Sequence, residues 1–176
     1  HCYTQAEYED VLSPSQHLAP IRQRPLWQQH YRRKGHPRHM SFWHTLSQPI
    51  IGLSPMDGVT DAASRFIMAR HGKPDVQYTE FINVEEIRRG TASAWRQLRF
   101  VESERPILAQ IYGADPDGFY QVAYVLCALG FDGVDINMGC PAKSVSARGC
   151  GAALIKNPPL ARAIIRAVRA GVWDWV

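Results

Sequence analysis

The rhythm of apolar and polar positions changes at about Pro49. Upstream, residues 1 to about 45 have no clear period and are interrupted by Pro14, Pro20, Pro25 and Pro37. That pattern predicts an irregular extension with at most short helices, within 5–12 and 26–33. Downstream, Ile50-Ile51-Gly52-Leu53 is an apolar run ended by Ser54-Pro55 and predicts a short buried strand. Asp61 can cap a helix running to about His71, with Gly72 just beyond it. Val76 to Phe81, rich in β-branched and aromatic residues, predicts a second strand. A weaker helical stretch lies between Val84 and Leu98. Pro106 to Tyr112 predicts a third strand, apolar on both faces except for Gln110. Asp115-Pro116 opens a helix, and Phe119, Val122, Ala123 and Leu126 recur along it at helical spacing until Gly130. Gly133 to Asn137 predicts the fourth strand. Asn157-Pro158 opens the last helix, with Leu160, Ile164 and Val168 on one stripe. The terminal Ala170–Val176 does not read as a further strand and is expected to begin an insertion.

Strand and helix thus alternate four times at about thirty residues per unit, as βαβ units do. Strands apolar on both faces predict a parallel sheet covered by helices. The pattern divides the chain into an extension, residues 1–45, and an α/β unit, residues 46–176. It does not by itself separate a doubly wound sheet from a barrel.

Composition narrows the class. The chain has 176 residues, 45% hydrophobic and 20% charged, which suits one globular domain with a core. No apolar run approaches the ~18 residues that span a membrane, and the opening residues lack the pattern of a secretory signal. The four cysteines, Cys2, Cys127, Cys140 and Cys150, have no Cys-x-x-Cys spacing. Reduced thiols in the cytoplasm, without a zinc site or disulfide framework, are therefore expected. The net charge of +4 is unevenly placed. Residues 21–40 carry Arg22, Arg24, Arg32, Arg33, Lys34 and Arg38 with no acidic residue, while the chain from 41 onward is nearly neutral. Basic residues interleaved with Trp27 and Tyr31 suit a phosphate backbone and stacked bases; a solvated, poorly ordered arm is the plainer reading.

The chemistry concentrates in Asp135-Ile136-Asn137-Met138-Gly139-Cys140-Pro141-Ala142-Lys143, which leads into Arg148-Gly149-Cys150-Gly151-Ala152-Ala153. A cysteine between Gly139 and Pro141 sits where the backbone turns. Asn137, three residues earlier, offers both a donor and an acceptor. Taken alone, a Gly-Cys-Pro is more often a packed thiol than a reagent. Cys150, between two glycines, reads as packed. Gln110, polar in an apolar strand, suggests a ligand or rim position.

Read from Asp135 to Pro158, the string resembles the signature of the dihydrouridine synthases, flavin enzymes that reduce uridines in tRNA. Leu53-Ser54-Pro55-Met56-Asp57-Gly58-Val59-Thr60-Asp61 is similar to that family's first strand and loop, and Arg105-Pro106-Ile107-Leu108-Ala109-Gln110-Ile111-Tyr112-Gly113 resembles its third. The resemblance covers roughly residues 50 to 170. It implies a (β/α)8 TIM barrel, of which this chain holds the first four βα units, with the later strands and a C-terminal helical domain absent. It implies FMN as cofactor and NADPH as electron donor. By the same resemblance Pro55, Met56 and Asp57 lie along the flavin ring, Met56 offering an apolar surface and a backbone N–H. Gln110 meets the pyrimidine edge of the flavin, Asn137 holds the uracil and the flavin, and Cys140 is the general acid, a role that requires a protonated thiol. Lys143 and Arg148 are expected at RNA phosphates, Arg148 being the stronger candidate. Glu80 is placed near the site without an assigned step. The family's later-strand lysine and histidine and its phosphate-holding turns have no counterpart in this sequence, so weak flavin retention and self-association of a half-barrel are expected. Two other readings stay open: a different FMN barrel acting on a free pyrimidine, and a non-catalytic half-barrel that binds RNA.

Overall fold

The computed structural model describes residues 41–175, with side chains to residue 172. The basic stretch 21–40 and the short helices expected at 5–12 and 26–33 lie outside the described residues. The elements are β1 (Gly52–Leu53), α1 (Ala62–His71), β2 (Val76–Tyr78), β3 (Ile82–Asn83), α2 (Val84–Arg89), α3 (Ala92–Gln97), β4 (Ile107–Tyr112), α4 (Pro116–Ala128), β5 (Gly133–Ile136), α5 (Lys143–Ser146) and α6 (Pro158–Trp175). Short 3-10 turns at Phe42–Thr45, Glu102–Glu104 and Gly151–Lys156 join them.

All strand pairs are parallel: β1 with β2, β2 and β3 with β4, and β4 with β5. Strands β2 and β3 lie on the same side of β4, so the sheet has four tracks in chain order. A doubly wound sheet reverses its order at a switch point, whereas consecutive order is the arc of a barrel. The α/β fold is that of a partial TIM barrel. Among the described residues β1 and β5 each pair on one side.

The second strand departs from the single run expected over Val76–Phe81. Tyr78 pairs with Leu108 and Ile82 with Ile111, so Thr79, Glu80 and Phe81 oppose Ala109 and Gln110. One extra residue makes a bulge, which bends a strand and re-aims its side chains. The Oγ1 of Thr79 accepts from the Gln110 backbone N–H at 3.1 Å and donates to the Glu80 carbonyl at 2.7 Å. The bulge therefore keeps its link to β4.

Strand β1 also differs from expectation. It has two residues and is not buried; Ile51 is 65% exposed. Among the described residues, an apolar run at this edge of the arc has no neighbour to cover it. In contrast every residue of β4 from Ile107 to Ile111 is buried, because strands flank it on both sides.

Helices cover the outer face. Asp61 caps α1 by accepting from the Ser64 N–H at 2.8 Å, and Asp115 caps α4 through the N–H groups of Asp117 and Gly118, as their positions before each apolar run predict. The stripe Phe119, Val122, Ala123 and Leu126 is fully buried, as are Ile164 and Ala167 of α6. Helices α4 and α6 pack closely along each other. At Gly171 a Cβ would collide with the Tyr120 carbonyl oxygen of α4, so a glycine allows the close approach. Helix α6 continues to Trp175, so residues 170–175 are helix and not a further strand, as expected. The helical stretch 84–98 is two helices, since Gly90 ends α2 and Thr91 caps α3 through the Ala94 N–H.

Behind α1 lies a buried ion pair. Arg65 and Glu104 are 2.7 Å apart, with side chains 0% and 1% exposed. Arg65 also donates to the Thr60 and Arg99 carbonyls, and Glu104 accepts from the Val101 N–H. Both charges are thus largely satisfied, which buried ions require.

Candidate active site

The carboxyl ends of the strands bring distant segments together. A cleft of about 460 Å³ is lined by Pro55, Phe81, Gln110, Ile136, Asn137, Met138, Gly139 and Cys140. Pro55 follows β1, Phe81 comes from the bulge, Gln110 from β4, and the rest from the end of β5 and the loop after it. In α/β barrels this rim carries the reacting groups.

Alternation along β4 explains why Gln110 enters the cleft. Ile107, Ala109 and Ile111 join the core under the helices, so Leu108 and Gln110 face the concave side. Gln110 pairs in register with Asp135, which shares that face with Asn137 two residues on. The Nε2 of Gln110 donates to Asp135 Oδ2 at 2.5 Å. Asn137 Nδ2 donates to Gln110 Oε1 at 3.3 Å. Asn137 Oδ1 accepts from the backbone N–H groups of Gly139, at 3.2 Å, and Cys140, at 3.0 Å. Tyr78 occupies the same concave side; burial, with the Asp135 carboxylate second, raises its phenol above the ordinary range.

The Cys140 backbone is held from both directions. Its carbonyl accepts from the Ala152 N–H at 3.0 Å, so the glycine-rich loop folds back over it. Gly151 has φ +59°, and a Cβ there would lie 2.7 Å from the Cys140 carbonyl oxygen; only a glycine meets both demands. The Cys140 side chain is half-buried at the cleft wall. Cys150 is buried, matching its reading as a packed residue, and burial raises its thiol, against a smaller opposing effect of Arg148. Burial pushes the Cys127 thiol up to about 11.

The remaining expected residues lie outside the lining of this cleft. Met56 and Asp57 are exposed beside the cleft. The Met56 N–H, expected to be free for a ligand, donates to Thr60 Oγ1 at 2.9 Å, because the loop closes a tight turn there. Glu80 is buried and holds that loop by accepting from the Gly58 N–H at 2.7 Å. Lys143 begins α5 and is exposed. Arg148 donates to the Ser144 carbonyl at 2.8 Å and to the Tyr112 hydroxyl at 3.3 Å, with its guanidinium 5.8 Å from the Tyr112 ring centre. It lines a second cleft of about 490 Å³ with Arg89 and Glu86. Sequence reasoning missed Asp135, Phe81 and Tyr112 as neighbours of the site. The spacing of Asp135 to Asn137, two residues on one strand face, was the available signal for the first.

The chemistry of the cleft fits a planar heteroaromatic ring. Pro55, Phe81, Ile136 and Met138 supply apolar walls, and two amides supply donors and acceptors. Gln110 still has one N–H and one lone pair to offer, and Asn137 one N–H, after their mutual bonds are counted. No group of His, Cys, Asp and Glu among the described residues could hold a metal ion, and no described helix is long and apolar enough to cross a membrane.

Parallel strands in chain order carry a thiol and two amides at their carboxyl rim, the end at which α/β barrels hold their sites. Residues 52–174 match the family described as dihydrouridine synthase (Dus), and the chain belongs to that family. It is 41% identical over 133 residues to the "Probable tRNA-dihydrouridine synthase 2" of Bacillus subtilis (strain 168), covering 74% of this chain and 41% of the relative. A "Probable tRNA-dihydrouridine synthase" of Staphylococcus aureus (strain COL) is 40% identical over 133 residues, with 74% and 40% covered. The chain spans about two fifths of the length of these relatives.

Proposed function

We propose that this chain supplies the Cys140 side of the active site of an FMN-dependent tRNA-dihydrouridine synthase that draws its electrons from NADPH in the cytoplasm. The observation that carries the reading is Cys140, fixed at the wall of a cleft whose floor is made of the Gln110 and Asn137 amides. Pro55 would lie against the flavin ring, with Met56 and Asp57 bordering it and Gln110 at its pyrimidine edge. When bound and reduced, FMN supplies a hydride to carbon 6 of the uracil. Asn137 orients the uracil through its remaining N–H. Cys140 Sγ gives its proton to carbon 5 from the opposite face, and the loop bonds at both ends of the residue keep the thiol aimed there. Lys143 and Arg148 would meet RNA phosphates on the outer side of the same loop, and residues 1–45 would form a separate basic arm.

The open edges at β1 and β5 support a second part of the proposal. The described arc needs further strands to enclose a flavin, and two copies can cover each other's edges by self-association. The reading is tested by purifying the intact protein, recording its flavin absorbance, and assaying dihydrouridine in tRNA with NADPH. Bound FMN and tRNA-dependent NADPH oxidation are expected. A colourless protein, or one that reduces a free pyrimidine and not tRNA, would overturn it.

A further inference from the structure

Four groups form one hydrogen-bonded chain across the concave side of the sheet: Asp135, Gln110, Asn137 and the Gly139–Cys140 backbone. Its two ends are unambiguous in chemistry. Backbone N–H groups can only donate, so the atom of Asn137 facing them is its oxygen. That turns Asn137 Nδ2 toward Gln110, which must answer with its oxygen, and so turns Gln110 Nε2 toward Asp135. An ionised carboxylate can only accept. Both ends demand the same sense for both amides, although either amide alone could flip.

We infer that Asp135 is a positioning residue of this site. Its carboxylate fixes the sense of the Gln110 and Asn137 amides and, through them, the turn that carries Cys140. The inference rests on the reading of Cys140 and Asn137 as reacting and binding groups. One consequence follows for recognition. Asn137 Oδ1 is used by two N–H groups, so the amide shows the cleft a donor and no acceptor. The ring edge it meets must be an acceptor, such as a pyrimidine carbonyl oxygen. Asp135 is half-buried, and Gln110 and Asn137 are each 8% exposed, so water competes poorly for these bonds.

Hydrogen exchange of the Gly139 and Cys140 amides reads this relay without any turnover, in the intact protein stripped of flavin. Asp135→Ala and Gln110→Ala should each speed that exchange about fivefold, the effect of one typical hydrogen bond. Combined, they should do no more than either alone, because they act through one chain. Asp135→Asn, which can keep an oxygen toward Gln110, should stay near the native rate, whereas loss of bulk or of general stability would not be rescued this way. Native exchange in Gln110→Ala, or additive effects in the double variant, would overturn the relay. Should Asp135→Ala not fold, Gln110→Ala and Asp135→Asn still decide it: fast exchange in the first with native exchange in the second supports the relay, and any other pair of results contradicts it. Failure here leaves tRNA reduction intact, and failure of tRNA reduction leaves the exchange rates as they are.

Discussion

Asn137 Oδ1 sits 3.0 Å from the backbone nitrogen of Cys140 and accepts its hydrogen bond, while Ala152 holds the Cys140 carbonyl at 3.0 Å. The residue proposed to bind the substrate therefore also sets the backbone of the residue proposed to protonate it. Binding and proton transfer share one small frame, and changes to the frame should be felt in both.

Gly151→Ala is expected to disturb that frame from a position that does not itself line the cleft. The new Cβ would press on the Cys140 carbonyl oxygen at 2.7 Å and on Val145 Cγ1 at 2.9 Å, and φ +59° adds about 1–2 kcal/mol for a residue with a Cβ. Urea unfolding should show a loss of that size or more, together with slower dihydrouridine formation. Native stability and native rate in the alanine variant would mean the loop yields freely.

Thiol labelling should be selective among the three described cysteines. Cys127, at about 11, and Cys150, raised by burial, are protonated at neutral pH and become thiolates only as pH climbs toward their raised values. The thiolate is the reactive form. Alkylation at about pH 7.5, mapped by mass spectrometry, should therefore mark Cys140 at the cleft wall and spare the other two. Earlier labelling of Cys127 than of Cys140 would contradict the burial described for it.

Breaking the ion pair behind α1 should cost more than erasing it. Glu104→Gln strands the Arg65 guanidinium at 0% exposure and is expected to destabilise by about 3–5 kcal/mol. Arg65→Met combined with Glu104→Leu should cost clearly less, since no unpaired charge stays buried. Urea midpoints of the two variants test the order, and a double variant weaker than Glu104→Gln would reverse it.

Much of the scaffold was legible because local signals and burial agree. Asp61 and Asp115 cap their helices, and the apolar stripe of α4 is buried residue for residue. The four parallel tracks follow from strands apolar on both faces. The bulge at Thr79–Phe81 was not legible: its residues suit a continuous strand, and the extra residue shows only against the register of β4. Nor was the exposure of Ile51, because an edge is a property of the sheet and not of the run. The division at Gly90-Thr91 does carry a local signal, a stop followed by a cap. In the site, the motif pointed to Asn137 and Cys140. The spacing of Asp135 to Asn137 signals a shared strand face, whereas the role inferred for Asp135 needed the cross-strand pairing with Gln110.

Deleting residues 21–40, with their six uncompensated positive charges, should weaken tRNA binding without altering which uridine is reduced. For every phosphate that the arm neutralises, its removal should make the slope of log affinity against log salt shallower by about 0.9 on a duplex, and by less on single strands. A binding titration at several salt concentrations checks this; an unchanged slope would mean the arm does not touch the phosphates.

If the Cys140 thiol delivers the proton that completes reduction of the uracil ring, Cys140→Ala in the intact protein should lose that step and little else. The variant should keep its flavin, and NADPH should still bleach that flavin at the native rate, because neither step uses the thiol. Dihydrouridine formed in tRNA under single-turnover conditions should fall by roughly 10²–10⁴-fold, the usual contribution of a general acid. Dihydrouridine formation at the native rate by Cys140→Ala would contradict the account.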